Sequence, residues 1–158
     1  MSNRTRTVVC GIDDSSGARA ALEEALRLAA RRGDRVRALR VYEPPEMWEA
    51  WSYGPAVSIP LPRPELVHRG ERHAAQETVD AVVDGLRGEL PMMPEVEVDA
   101  MAGRPVEVLV EEAEGAEALV VGHRGRGAFG SVMMGSTSLG CVLHAPCPVT
   151  VVPALVPA

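Results

Sequence analysis

Short apolar runs and longer helical patterns alternate along this chain, and the alternation limits the folds that it can adopt. Short apolar runs, or the apolar–polar alternation of residues 96–101, predict β-strands, and apolar residues recurring every three or four positions predict amphipathic helices. Strands that alternate with helices favour a parallel sheet covered by helices on both faces. We therefore predict an α/β fold with an open, five-stranded, mostly parallel sheet. The predicted strands cover residues 7–12, 36–41, 96–101, 118–121 and 149–152, and the predicted helices cover residues 18–32, 64–86, 105–113 and 136–143.

A glycine-dense segment follows the fourth predicted strand. Six of the 15 glycines fall between Gly122 and Gly140. Glycine permits positive φ and close approach of backbone N–H groups to a ligand, and successive N–H groups in such a turn form an anion-binding concavity. A helix beginning near Ser136 would add the positive end of its dipole. The segment therefore predicts a phosphate site. His123 is also consistent with an ordinary loop histidine that has no role in binding. The candidate residues are Gly122, His123, Arg124, Gly125, Arg126, Gly127, Gly135, Ser136 and Thr137.

A second polar loop follows the first predicted strand, where residues 11–16 supply two carboxylates and two hydroxyls. In open α/β sheets, ligands bind beyond the carboxyl ends of the strands, where the strand order reverses. If strands one and four are neighbours there, the two loops face each other across one crevice. The carboxylates on one side suit a nucleoside or Mg²⁺, and the arginines and backbone amides on the other side suit phosphates. This combination favours a nucleotide as the ligand. Asp13 directly ends its strand and is the candidate functional carboxylate. Asp14, Ser15 and Ser16 also suit the N-cap position of the next helix.

Composition and missing motifs narrow the classes of function. The net charge of −6 argues against a general nucleic-acid partner. No apolar run approaches the roughly 20 residues of a membrane span, and no signal peptide is predicted, so we expect a cytoplasmic protein without a membrane partner. The three cysteines and four histidines lack metal-ligand spacing, which predicts small buried thiols and no metal site. The chain lacks a G-x-x-x-x-G-K-[ST] motif, which disfavours a P-loop NTPase, and it shows no activated nucleophile beside a base, so we predict no catalytic residues.

One segment interrupts the alternation within what we expect to be a single domain of residues 1–158. Residues 43–64 contain six of the 13 prolines and no clean periodicity, and aromatic residues lie in or beside the segment, among them Trp48 and Trp51. Loops of this length without structure of their own are usually functional or disordered. Two interpretations stay open: a surface loop whose aromatic residues pack on the body, or a lid or partner-binding surface.

Several motifs of the chain resemble those of the universal stress protein family. The family's diagnostic pattern, G-x2-G-x9-G-[ST], is present without a gap from Gly122 to Ser136. Further matches occur at residues 9–15, 103–105 and 144–152, and the resemblance covers residues 5–153. It implies a Rossmann-like fold of the adenine nucleotide alpha hydrolase type with strand order 3-2-1-4-5.

The resemblance also implies a ligand, because the branch of the family that keeps the glycine pattern binds ATP. Adenine and ribose would lie between the loop around Asp13, with Gly11 and Ser15, and the backbone of Val41. The glycine segment would surround ribose and phosphates, and Mg²⁺ would accompany the ATP. The implied function is a regulatory or stress-response role with slow or no ATP hydrolysis.

Family members usually form homodimers through the last strand, which corresponds here to residues 149–152. Pairing this apolar edge strand would also remove an aggregation risk. The alternative function is a dimeric protein-interaction module that has a vestigial nucleotide pocket and binds a partner through Trp48 and Trp51.

Overall fold

A five-stranded parallel sheet organises the part of the chain that the structure describes. The structure is a computed structural model that describes residues 6–46, 60–123 and 133–154. In these ranges the elements are β1 (Thr7–Ile12), α1 (Ser16–Arg32), β2 (Arg35–Tyr42), α2 (Pro64–Gly85), β3 (Val96–Ala102), α3 (Pro105–Glu112), β4 (Ala118–Gly122), α4 (Ser136–His144) and β5 (Val149–Val152). The strand order is β3-β2-β1-β4-β5, and all four pairings are parallel. The predicted fold class and strand order are confirmed.

The sheet is covered on both faces, and the residues of β1 alternate between two apolar clusters. Val8, Cys10 and Ile12 pack in the cluster that includes α1 and α2, whereas Val9 packs with residues of α3 and α4. Val8, Val9 and Cys10 are each no more than 1% exposed. Because both faces are buried, the strand needs a continuous apolar run rather than an alternating one.

Small side chains bring α1 close to the sheet. Its buried face consists of four alanines, two leucines and Gly17. The helix begins after Ser15, whose Oγ accepts a hydrogen bond from the N–H of Ala18 at 3.1 Å. It ends at Gly33, where φ is 72°, a left-handed conformation that glycine adopts at little cost. The observed end of α1 at Arg32 agrees with the predicted helix, which covers residues 18–32.

The helices on the opposite face begin as their sequences indicate. Pro105 occupies the first turn of α3, as predicted, where its missing N–H removes no helical hydrogen bond. Gly140 of α4 lies against α3, because a Cβ on Gly140 would stand only 2.7 Å from a methyl carbon of Val106. Within the described ranges, none of the helices combines the length and the apolar character that crossing a bilayer requires.

The cysteines behave as small apolar residues. Cys10 and Cys141 are buried free thiols, as predicted, and Cys147 is half-buried. Burial raises the pKa of Cys10, and it raises the pKa of Cys141 to about 11. Both thiols are therefore protonated at neutral pH and are poor nucleophiles.

Candidate functional site

A cleft opens at the carboxyl ends of β1, β2 and β4, on the face of the sheet that carries α3 and α4. β1 and β4 are adjacent there, with Cys10 opposite Val120, so the cleft lies where the strand order reverses. The cleft is open to solvent, and its cavity volume is about 120 Å³. The described residues that line it are Gly11, Ile12, Asp13, Ser15, Ala18, Leu39, Val41, Pro105, Leu109, Val121, Gly122, Thr137 and Ser138.

The floor of the cleft is apolar. Leu39 and Val41 come from β2, Val121 comes from β4, and α3 contributes Leu109. Gly11 completes this slot by having no side chain. A Cβ at this position would lie 3.0 Å from Leu109 Cδ1 and 3.5 Å from Val121 Cγ1, so Leu109 packs on the Gly11 backbone and a side chain there would displace it.

The first polar wall is the loop that joins β1 to α1. Asp13 Oδ1 accepts a hydrogen bond from the backbone N–H of Ser15 at 2.8 Å, which fixes the carboxylate at the end of β1. The Ser15 hydroxyl caps α1, so the N-cap interpretation is confirmed for Ser15, although the residue also lines the cleft. Asp14 does not line it, because its carboxylate turns towards Arg40.

The second wall begins at Gly122, where glycine serves close packing rather than an unusual backbone conformation. A Cβ on Gly122 would lie 2.8 Å from both C and O of Gly17, at the start of α1. Its φ is not positive, and neither is that of Gly135. The glycine pattern predicted close approach of a ligand to the backbone, whereas at Gly122 the structure shows contact between β4 and α1.

The start of α4 completes this wall. The helix begins at Ser136, as predicted, with Gly135 at the N-cap position. The N–H of Gly135 donates to the carbonyl of His123 at 2.9 Å, and the Ser138 hydroxyl donates to the carbonyl of Gly122. These bonds hold the N-terminus of α4 against the end of β4, which places Thr137 and Ser138 on the cleft.

The predicted site residues thus fall into three groups. Six of them line the cleft: Gly11, Asp13, Ser15, Val41, Gly122 and Thr137. Three of them belong to the wall beside it without lining it: His123, Gly135 and Ser136. The last four lie outside the described residues: Arg124, Gly125, Arg126 and Gly127.

Sequence reasoning missed most of the apolar floor. Leu109 belongs to an apolar stripe that predicted a buried helix face, and Leu39 belongs to an apolar strand; both patterns indicate core rather than a site. Ser138 carries no signal in the sequence, since a serine inside a short helix is ordinary. No group of three or more His, Cys, Asp or Glu side chains in the described ranges is arranged to hold a metal ion.

Known proteins resemble this chain along most of its length. The family model for the universal stress protein family matches residues 4–153. A universal stress protein from Thermus aquaticus is 32% identical over 149 residues, which cover 93% of this chain and 98% of the relative. A universal stress protein from Mycolicibacterium smegmatis is 31% identical over 148 residues, which cover 92% of this chain. These residues are 47% of that relative, so this chain spans about half its length.

Solved structures share the fold. The universal stress protein UspA from Lactobacillus plantarum is 23% identical with a TM-score of 0.67, and the match covers 94% of this chain and 98% of that one. A universal stress protein in complex with cAMP is 21% identical with a TM-score of 0.63, covering 96% and 98%. A universal stress protein from Archaeoglobus fulgidus in complex with dAMP is 22% identical with a TM-score of 0.56, covering 93% and 96%. From its family match and its relatives, this chain belongs to the universal stress protein family.

Proposed function

We propose that this chain binds an adenine nucleotide in the cleft at the ends of β1, β2 and β4, with ATP and Mg²⁺ as the first candidates. The observation that carries the proposal is the composition of the cleft: an apolar slot between a carboxylate loop and a helix N-terminus. The proposed role is regulatory, in a stress response, with slow or no hydrolysis of ATP.

The apolar slot suits the base. A purine has two flat apolar faces, and the partly exposed Val41 offers aliphatic surface beside the buried Leu39 and Leu109. Burying a base against such side chains removes apolar surface from water, which is the main favourable term for binding in a pocket of this kind. The backbone of Val41, at the end of β2, is our candidate for polar contact with adenine.

The polar walls suit the rest of the nucleotide. Asp13 Oδ1 accepts a hydrogen bond from the N–H of Ser15. Since an ionised carboxylate can accept several hydrogen bonds, the carboxylate at the cleft edge also suits ribose hydroxyls. Thr137, in the first turn of α4, suits phosphate oxygens because backbone N–H groups and the helix dipole favour anions there. Through the motif resemblance, we extend the phosphate site to the glycine segment that contains Arg124 and Arg126.

Two solved neighbours support an adenine nucleotide as ligand, since one is a complex with cAMP and the other is a complex with dAMP. The chemistry of the walls supports binding over turnover. Asp13 is the only described lining residue with an ionisable side chain, so the described cleft pairs no nucleophile with a general base. Mg²⁺ would be held mainly by the phosphates, and it would neutralise their charge.

We further propose that the chain forms a homodimer through β5. This strand lies at one edge of the sheet and pairs with β4 on one side, which leaves its other side for a second copy. Thr150 is exposed on this strand. Pairing of two edge strands satisfies backbone groups and protects an apolar edge.

Isothermal titration calorimetry with ATP and Mg²⁺ tests the function, with Asp13→Asn as the site variant and Asp80→Asn as its matched control. Asp80 is exposed on α2 and does not line the cleft. A lost charged hydrogen bond should weaken binding about tenfold to a hundredfold in Asp13→Asn and leave Asp80→Asn unchanged. Absence of heat with folded wild-type protein at millimolar nucleotide would contradict the proposal and favour the interaction-module alternative.

A further inference from the structure

A buried guanidinium lies directly behind the carboxylate loop of the cleft. Arg40 is near the end of β2, opposite Ile12 of β1, on the face of the sheet that carries α2. Its side chain is only 9% exposed. A buried charge is costly unless ionic partners and hydrogen bonds compensate it, so its contacts identify what it stabilises.

Arg40 joins two elements through its partners. Its Nη1 donates to Asp14 Oδ1 at 2.6 Å, and its Nη2 donates to Asp14 Oδ2 at 3.3 Å. Its Nε donates to a carboxylate oxygen of Glu71 on α2. A two-point contact between a guanidinium and a carboxylate fixes orientation as well as distance. Arg40 therefore holds the loop after β1 in a defined place relative to both β2 and α2.

The restraint on Asp14 reaches the cleft through consecutive residues. Asp14 turns towards α2, its neighbour Asp13 lines the cleft, and the next residue, Ser15, both donates to Asp13 and caps α1. A loop of three residues held at every position has little freedom to turn the Asp13 carboxylate away. The same contact offsets the negative charge of Asp14, which would otherwise add to that of Asp13 beside an anionic ligand.

We propose that Arg40 is a positioning residue for the nucleotide site: through Asp14 it orients the Asp13 loop and offsets its charge without touching the ligand. The predicted effect of Arg40 on nucleotide affinity rests on the proposed function. Its structural part, the ordering of the loop by Arg40, concerns the protein without ligand and is tested separately.

The first experiment measures hydrogen exchange of the Ser15 amide by NMR in the protein without nucleotide. This N–H donates to Asp13, so it reports directly on the loop. Arg40→Met and Asp14→Ala should each speed its exchange about tenfold, as expected for the loss of a charged hydrogen bond. The interior amides of α1 should keep their wild-type rates. Asp14 is 44% exposed at its side chain, so Asp14→Ala tests the inference even if Arg40→Met does not fold.

The matched control is Arg27→Met. Arg27 also lies between two carboxylates, those of Glu23 at 2.9 Å and Glu89 at 2.6 Å, but it is on the outer side of α1, and it does not line the cleft. Its loss should change neither the exchange of the Ser15 amide nor the affinity for nucleotide. An equal effect in this variant would mean that removing any paired arginine loosens the loop, and the inference would be wrong.

The second experiment measures ATP–Mg²⁺ affinity for the same variants. Arg40→Met and Asp14→Ala should each weaken binding about tenfold. The double variant should bind no more weakly than Arg40→Met alone, because both changes remove the same contact between Arg40 and Asp14. Unchanged Ser15 exchange in both variants would overturn the inference, and so would faster exchange with unchanged affinity. If wild-type protein binds no nucleotide, the proposed function fails, while the exchange rates still decide whether Arg40 orders the loop.

Discussion

Substituting alanine for Gly122 tests the packing that positions the cleft. The added Cβ would lie 2.8 Å from C and O of Gly17 and 3.3 Å from N of Ala18. These are backbone atoms, which cannot rotate away as the end of a side chain can. Either the start of α1 or the end of β4 must therefore move, and both elements carry residues of the cleft wall.

The size of the effect follows from the cost of forcing a methyl group into a filled space. Overpacking of this kind costs about 1–3 kcal/mol of unfolding free energy. For a chain of 158 residues, each kcal/mol corresponds to roughly 2–4 °C in Tm. We expect Gly122→Ala to lower the unfolding free energy by about 2 kcal/mol and Tm by about 4–8 °C.

Gly70→Ala is the matched control, because Gly70 lies inside α2 and a Cβ there meets nothing within 4 Å. This variant should gain about 0.5–1 kcal/mol, since alanine favours a helix interior over glycine. Urea unfolding followed by far-UV circular dichroism measures both variants. A Gly122→Ala protein as stable as wild type would refute the packing argument. That argument requires alanine to lower the unfolding free energy at position 122 and to raise it at position 70.

Three further predictions concern the slot, the thiols and the sheet edge. Gly11→Ala should weaken nucleotide binding in calorimetry while circular dichroism stays native, because its Cβ would displace the end of the flexible Leu109 side chain into the cleft; wild-type affinity would place the ligand elsewhere. Burial raises the pKa of Cys141 from 9.0 to about 11, so the folded state keeps a proton that the unfolded state loses. The unfolding free energy should therefore fall between about pH 9 and pH 11, and Cys141→Ala should flatten that fall in urea titrations at each pH; an identical slope in the variant would contradict the assignment. Thr150→Lys should convert a dimer to a monomer in light scattering, because a lysine on an edge strand opposes pairing; a dimeric variant would exclude β5 as the interface.

The fold was predictable because its signals are local and agree with one another. The continuous apolar run of β1 indicates a strand buried on both faces, and the alanine and leucine stripe of α1 indicates a helix lying on the sheet. Gly33 marks the end of that helix. The family resemblance supplied the strand order, which periodicity alone leaves open.

The site was predictable only where residues lie at the ends of predicted elements. Asp13 follows the end of β1 and Thr137 lies at the start of α4, whereas Leu39 and Leu109 were assigned to the core, since the sequence does not say which core residues border a cleft. Three residues competed for the N-cap of α1, and loop geometry selected Ser15.

Contacts between distant parts of the chain lay beyond sequence reasoning altogether. Gly122 is a glycine because it packs on Gly17, which is remote in sequence and carries no signal that links the two. Arg40 interrupts an apolar strand, and its partners Asp14 and Glu71 lie 26 and 31 positions away. Such pairings depend on the assembled sheet, so they become visible only in three dimensions.

Mapping ATP–Mg²⁺ binding by NMR tests the central claim most directly, because it identifies both the ligand and its place. In a titration of isotopically labelled protein, we expect saturable shift changes at the amides of Gly11, Asp13, Val41 and Thr137. The amide of Gly70, on the outer face of α2, should stay unchanged. Absence of saturable changes, or changes centred on α2 instead of the cleft, would contradict the claim that this cleft binds the nucleotide.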